Sequence, residues 1–357
     1  MGGQPPSTKN EVYYGGDVAW ITPKDLSNFS GRFISRGERN ITELGLKSCS
    51  AKLLPKNTVL FTSRAPIGYV AISSKEVATN QGFKSIVPNK NTDYLFLYYL
   101  LIFYKNKIVS MGSGTTFKEV SGATMKNIEV YVPQDKKEQA KIGKILSSLD
   151  DKIECNNRMN TVLEEIARAL FHRWFVEFEF PNADGKPYQS AGGKMVESEM
   201  GGSVPEGGWE VGTIGDVVQI LGGSTPDTKN PPVFWENGEN PFCTPKDLST
   251  LISPILLDTE RHITEEGVQS ISSKHLPAGT LLLSSRAPVG YLAISSVPVS
   301  INQGFIAMIC DKEISNVFLL QWLRKNMGII EGRANGEYFS GNKQEEFPDN
   351  SFPDSFC

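Results

Sequence analysis

The sequence predicts an α/β protein made of two homologous mixed α/β domains separated by a long coiled-coil-type α-helix. Three observations carry this: an internal repeat, short β-branched segments inside each copy, and a heptad of apolar residues between the copies. TPKDLS at 22–27 returns at 244–249, an offset of 222 residues. At that offset and without a gap, RNITE (39–43) matches RHITE (261–265), and LPKNTVLFTSRAPIGYVAISS (54–74) matches LPAGTLLLSSRAPVGYLAISS (276–296). NQGF recurs at 80–83 and 302–305. A repeat of this length settles architecture before any single motif does.

Taken in order, residues 1–133 form the first domain. TVLFTS (58–63) and YVAISS (69–74) read as strands around an Ala-Pro-Ile-Gly turn, and 94–107 as an amphipathic helix. Residues 134–180 contain no Pro and a single Gly, Gly143. Their apolar positions Ile142, Leu146, Leu149, Ile153, Leu163, Ala167, Leu170 and Trp174 alternate steps of four and three, with Asn156 and Asn160 in the two slots between. That is a helix-pairing seam, and at ~1.5 Å per residue it runs roughly 48 Å. The two Asn would fix register in a pair; the alternative is an ordinary amphipathic core helix. Residues 181–208 are a linker rich in Gly, Ser, Pro and charge, and 209–336 form the second domain, with TLLLSS, YLAISS and a helix at 314–326. The tail, 337–357, is rich in Pro, Asp and Ser and is expected to be disordered. Between matched flanks, NFSGRFISRG (28–37) and TLISPILLDT (250–259) share no identity. Different insets on one scaffold suggest different target surfaces, although drift in a loop would look the same.

A chain of 357 residues allows two or three domains. No apolar run is long enough for a membrane span and no signal segment opens the chain, so a cytoplasmic protein without membrane contact is expected. Five scattered Cys and three His form no disulfide framework or zinc pattern, and no metal site is indicated. Net charge is −4, but residues 1–133 carry 16 Lys and Arg against 9 Asp and Glu, a net +7, whereas residues 181–357 carry 12 against 22, a net −10. A basic first lobe is the footprint of a surface that neutralises phosphates, or simply a soluble one. Asn230-Pro-Pro-Val lacks both the aromatic and the Gly-rich turn of an amino-methyltransferase, and Gly112-Ser-Gly-Thr-Thr lacks P-loop spacing. Ser63 and Ser285 have no His or Asp arrangement nearby in sequence. No catalytic residues are assigned.

TPKDLS, the [TS]SRAP[IV]GY turn, NQGF, GSGTTF (112–117) and above all ILSSLDDKIECNNRMNTVLEEIARALFHRWFVEF resemble the specificity subunit of Type I restriction-modification enzymes. The resemblance covers nearly all of residues 1–336. It implies two target recognition domains, each reading one half of a bipartite site on double-stranded DNA. It also implies a central helix that sets the spacer and docks methyltransferase (M) and restriction (R) subunits. S-adenosylmethionine, ATP and Mg would belong to those partners, and no cofactor to this chain.

Residues identical in both copies, Lys24 with Lys246, Arg39 with Arg261 and Arg64 with Arg286, then suit phosphate contact or fold. Base readout falls to the unmatched inset, where Arg32 and Arg36 are the candidates. Two departures from the family stand out. Copy one lacks a counterpart of the segment starting at Trp209, suggesting a truncated or misplaced start, and after Gly336 the repeat breaks as if by frameshift, without the family's second long helix. A seam with no partner helix is expected to pair in an antiparallel homodimer or to be covered by an M subunit. A coiled-coil scaffold whose lobes bind protein, favoured by the acidic second lobe, and an inactive remnant are the competing readings.

Overall fold

The computed structural model describes residues 3–334 and 350–353, apart from residues 28, 65, 114–117, 200, 230, 287 and 313. It divides into two units, Met1–Asn156 and Asn157–Cys357, with the division inside a single helix, Lys136–Phe175.

In the first unit a hairpin pairs Val59–Phe61 with Val70–Ser73, in the register Val59 to Ile72 and Phe61 to Val70, and Phe33–Ile34 adds in parallel. Trp20–Ile21 pairs in parallel with Ala78–Thr79. Side chains of a strand alternate between faces, and here both faces are covered. Leu60 and Ala71 pack with Ile21, Leu26 and Phe83 on one side. Val59, Phe61 and Ile72 pack with Leu97, Tyr98 and Leu101 of the helix Tyr94–Phe103 on the other. Burial on two faces explains why VLF reads as an uninterrupted apolar run. Asp93 caps that helix by accepting from Phe96 N.

The second unit repeats the pairing at the same 222-residue offset. Leu281 faces Ile294, Ile255 runs parallel to Ile294, and Phe242 faces Ser300. Gln219–Gly222 and Phe305–Ile309 extend this sheet to five strands. The helix Asn316–Lys325 covers it with Leu319, Leu320, Trp322 and Leu323, joined by Phe171 of the long helix. Ahead of the sheet, Trp209–Gly212 is a strand and Ile214–Val217 a short helix.

Three features differ from what the sequence predicts. Each helix after the sheet is broken into two pieces, Tyr94–Phe103 with Lys105–Ser110 and Asn316–Lys325 with Met327–Ala334. The segment read as a linker holds a hairpin, Met195–Glu197 with Ser203–Pro205. Within the tail expected to be disordered, Asn350–Pro353 pairs with Trp209–Gly212; the rest of 337–357 lies outside the described residues.

The long helix turns a polar side to the first unit's lobe and an aromatic one to the second unit's. On the first unit, Gln139 is buried, accepting from Asp93 N (3.0 Å) and donating to Pro133 O (2.8 Å). A Cβ on Gly143 would lie 2.8 Å from Phe96 N, so this one Gly permits the close approach of helix and lobe. On the second unit, Phe171 and Phe175 pack on Phe318. The heptad positions lie on the other side. Leu149 is 60% exposed, Ile153 55% and Leu163 54%, with Leu146, Leu170, Asn156 and Asn160 exposed as well; Ile142, Ala167 and Trp174 are half-buried. The reading of this stretch as an ordinary amphipathic core helix is therefore overturned. Among the described residues, no helix is long and apolar enough to cross a membrane.

Candidate nucleic-acid interface

The motifs that repeat identically are fastenings of the scaffold. In TPKDLS, Asp25 Oδ2 accepts from Thr22 N (2.7 Å) and Thr22 Oγ1 (2.6 Å), and Oδ1 accepts from Glu38 N (2.6 Å). Asp247 does the same with Thr244 N, Thr244 Oγ1 and Glu260 N. One carboxylate thus caps a short helix and ties down the chain after the inset. Lys24 pairs with Glu38 (2.8 Å) and Lys246 with Glu260 (2.6 Å), both in solvent. These hydrogen bonds and the exposed Glu partners draw Lys24 and Lys246 to raised pKa values. Both remain charged, and an exposed ion pair leaves the ammonium able to meet a phosphate.

The Arg-Ala-Pro turn is equally fixed. Thr62 Oγ1 donates to Pro66 O (2.8 Å) and accepts from Tyr69 N (2.9 Å), with Gly68 at φ +100°. Ser284 makes the same bonds to Pro288 and Tyr291, with Gly290 at φ +101°. Only glycine adopts this backbone without strain. Arg64 thus lies between the bonded Thr62 and Pro66, and Arg286 between the bonded Ser284 and Pro288. Arg64 is bound to Glu119 (2.8 Å), which Lys84 also holds (3.0 Å); burial opposes the Glu119 charge, but these two cations keep its pKa below the ordinary value. Arg286 is exposed and makes no ion pair among the described residues. The neighbouring GSGTTF motif falls largely on residues 114–117, and the Asn of Asn230-Pro-Pro-Val on residue 230, all outside the described residues.

Arg39 and Arg261 share an arrangement that sequence alone did not reveal. The Arg39 guanidinium lies 3.7 Å from the Tyr14 ring centroid, and that of Arg261 lies 3.7 Å from the Trp235 centroid. At the repeat offset Trp235 corresponds to Tyr13, not Tyr14, so the two lobes reach the same stack from different positions. Stacking holds a guanidinium plane while its N–H edges stay free for an anion. An aromatic residue in each domain's opening segment was the only signal available.

Of the two inset arginines, Arg36 is exposed and makes no ion pair among the described residues. Arg32 is different. Only 4% exposed, its guanidinium donates to Ser147 O (3.0 Å), Ser147 Oγ (2.7 Å) and Tyr99 Oη (3.3 Å) and pairs with Asp151 and with Glu154 (3.3 Å). Burial opposes the charge, but the hydrogen bonds to Asp151 and Tyr99 outweigh it and raise the pKa. Tyr99 donates to Asp150 (2.7 Å), and burial with that carboxylate pushes its hydroxyl up to about 12. Arg32 is thus corrected from base reader to the residue that fastens the inset to the long helix. All three of its nitrogens are engaged, and a base edge would have to displace these bonds.

The family model for the Type I restriction modification DNA specificity domain matches residues 2–165 and 206–347. The chain belongs to this family. A specificity-domain protein of Methanocaldococcus jannaschii, named the Type I restriction enzyme MjaIX specificity subunit, is 40% identical over 279 residues, which are 76% of this chain and 60% of that one. The HindI specificity subunit of Haemophilus influenzae is 26% identical over 367 residues, covering 87% of this chain and 77% of the relative. Among solved structures, a Type I restriction-modification S subunit from M. genitalium superposes with a TM-score of 0.54 at 16% identity, over 99% of this chain and 82% of that one, which is a likeness of fold. The chain thus spans less than two thirds of the M. jannaschii relative's length.

Proposed function

We propose that this specificity-domain protein supplies the DNA address for a Type I restriction-modification enzyme, each lobe reading half of a bipartite site on double-stranded DNA. The observation that carries this is one scaffold used twice, with pairing conserved residue for residue at an offset of 222 and the inset between fixed flanks replaced. Invariant fastenings with variable insets suit two readers of different sequences. Lys24, Arg39, Arg64 and their counterparts Lys246, Arg261 and Arg286 serve backbone contact, and Arg36 base readout. Methyl transfer and cleavage, with S-adenosylmethionine, ATP and Mg, belong to M and R subunits, and the same reading puts the protein in the cytoplasm with the DNA.

The exposed seam is the docking surface for partner helices. A second copy is one occupant its symmetry favours. Antiparallel self-pairing would set Ile142 against Trp174, Leu146 against Leu170, Leu149 against Ala167, Ile153 against Leu163 and Asn156 against Asn160, so that polar meets polar and apolar meets apolar. Sequencing methylated adenines in cells with and without the gene tests the main reading. Deletion is expected to erase one bipartite motif; an unchanged methylation pattern would favour the protein-binding scaffold. A strictly monomeric hydrodynamic size would count against self-pairing.

A further inference from the structure

The two insets share no residue, yet toward their ends they bury and expose the same positions. At the repeat offset Ile34 and Leu256 are buried, the next two residues are exposed, Gly37 and Thr259 are buried, and Glu38 and Glu260 are exposed. Both ends of this short span are pinned. Ser74 N donates to Ile34 O (2.9 Å) and Ser296 N to Leu256 O (2.9 Å), while Asp25 and Asp247 hold the backbone N–H of Glu38 and Glu260. Between the pins one residue is committed to the scaffold. A Cβ on Gly37 would meet Trp20 O at 2.1 Å, and Thr259 Oγ1 accepts from Phe242 N (3.0 Å) and donates to Arg261 O (2.7 Å). What remains for solvent is the pair 35–36 and its counterpart 257–258.

That pair is Ser35-Arg36 in the first unit and Leu257-Asp258 in the second. Along the chain the same cations follow it: Lys24 on Glu38 and Arg39 on Tyr14 in one unit, Lys246 on Glu260 and Arg261 on Trp235 in the other. The second lobe thus keeps the groups suited to phosphate and changes what it shows beside them. Leu257 is 71% exposed. A lone exposed leucine is ordinary on a protein surface, and only its position gives it meaning. Asp258 is exposed but held on one side, its Oδ1 accepting from His262 Nε2 (3.0 Å) and Thr259 N (2.8 Å), while Oδ2 has no partner among the described residues. A fixed carboxylate with one open oxygen is an aimed acceptor. The other exposed apolar residues of this inset fit the role less well. Ile252 lines a cavity beside Glu164 and Arg168 of the long helix, and Ile255 matches Phe33, also apolar and exposed, so it distinguishes the two lobes poorly.

We propose that Leu257 and Asp258 are the base-reading pair of the second lobe, Leu257 meeting a thymine 5-methyl group and Asp258 Oδ2 accepting from a cytosine N4 amino group. Apolar contact with the methyl and a carboxylate on N4 are the major-groove pairings open to these two side chains. The second lobe then reads bases without any Lys or Arg in its inset, where the first uses Arg36. This deepens the DNA reading above and rests on it.

Selection from a randomised duplex library by the full chain and by Leu257→Ala, Asp258→Asn and Arg36→Ala tests the pair. All three side chains are exposed, so melting temperatures should match the parent. The parent is expected to enrich a two-part motif. Asp258→Asn should weaken preference at a C·G pair in one half by roughly tenfold, Leu257→Ala should relax an A·T pair in that same half, and Arg36→Ala should act on the other half alone. Replacing that thymine by deoxyuridine removes only the methyl, and should cost the parent roughly fourfold in affinity and Leu257→Ala nothing further. A two-part motif that Leu257→Ala and Asp258→Asn both leave intact would overturn the pair while the DNA reading stands. Relaxation at other base pairs, or a parent indifferent to deoxyuridine, would overturn the base assignment. No enriched motif at all would overturn the DNA reading and the pair together.

Discussion

Arg32 and Arg36 lie in one inset, four positions apart, and meet opposite surroundings. Arg32 is surrounded by groups 67 to 122 residues distant in sequence, from Tyr99 to Glu154. Arg32→Ala is expected to lower stability by about 2–3 kcal/mol in urea denaturation, less than for a fully buried pair because Asp151 and Glu154 stay partly solvated. Arg36→Ala should leave the melting temperature unchanged and reduce discrimination at one base pair by about 1–3 kcal/mol, read by competition binding. Glu119 gives a pH test. Its folded-state pKa lies below the ordinary 4.5, so its contribution is present above that value and lost as pH falls through the lower one. Glu119→Gln should therefore flatten the acid side of a melting-temperature profile. An unchanged acid limb would show that Arg64 and Lys84 gain nothing from this carboxylate. Sequence could nominate arginines by type; the acids that neutralise one of them are distant along the chain.

At the scale of the element, the long helix carries two patterns. The apolar one was legible because Leu and Ile at alternating steps of four and three form a single stripe along a helix, which is what a partner helix needs. The second pattern, through Gln139, Gly143, Ser147, Asp151 and Glu154, reads as a solvated face and is the one that meets the first unit. Polar side chains pack when each finds a partner, and partners are not written in periodicity. Gly143 exposes the difference. A helix interior ordinarily gains about 0.5–1 kcal/mol from Gly→Ala. Here the added Cβ meets Phe96 N at 2.8 Å and Leu95 Cβ at 2.9 Å, and backbone cannot step aside cheaply. Gly143→Ala should cost about 1–3 kcal/mol in denaturant titration. A stabilised variant would mean the helix is not seated on the lobe.

For the whole molecule the decisive property is charge divided between repeats. The first domain's excess of cations should make DNA affinity fall steeply and linearly in log Kd against log salt, by about 0.9 per phosphate neutralised. On the proposed reading Arg39→Ala removes one phosphate contact, and it should reduce that slope by about one while leaving sequence preference in place. A shallow slope would favour a protein-binding scaffold. The repeat made the two-lobe fold readable, and it also misled, because identity between copies marks what the scaffold needs. TPKDLS and the Arg-Ala-Pro turn are held by capping and hydroxyl bonds that any target would leave unchanged.

The sequence by itself determined the duplication, its register, the two strands around the Ala-Pro turn of each copy and the existence of a long apolar seam, since all follow from local periodicity and self-similarity. Tertiary structure alone decided which side of the long helix rests on the lobes, that Arg32 is a fastening, and which positions of each inset stay exposed. Each depends on distant side chains meeting in a space of fixed size, and neither composition nor spacing along the chain encodes that meeting.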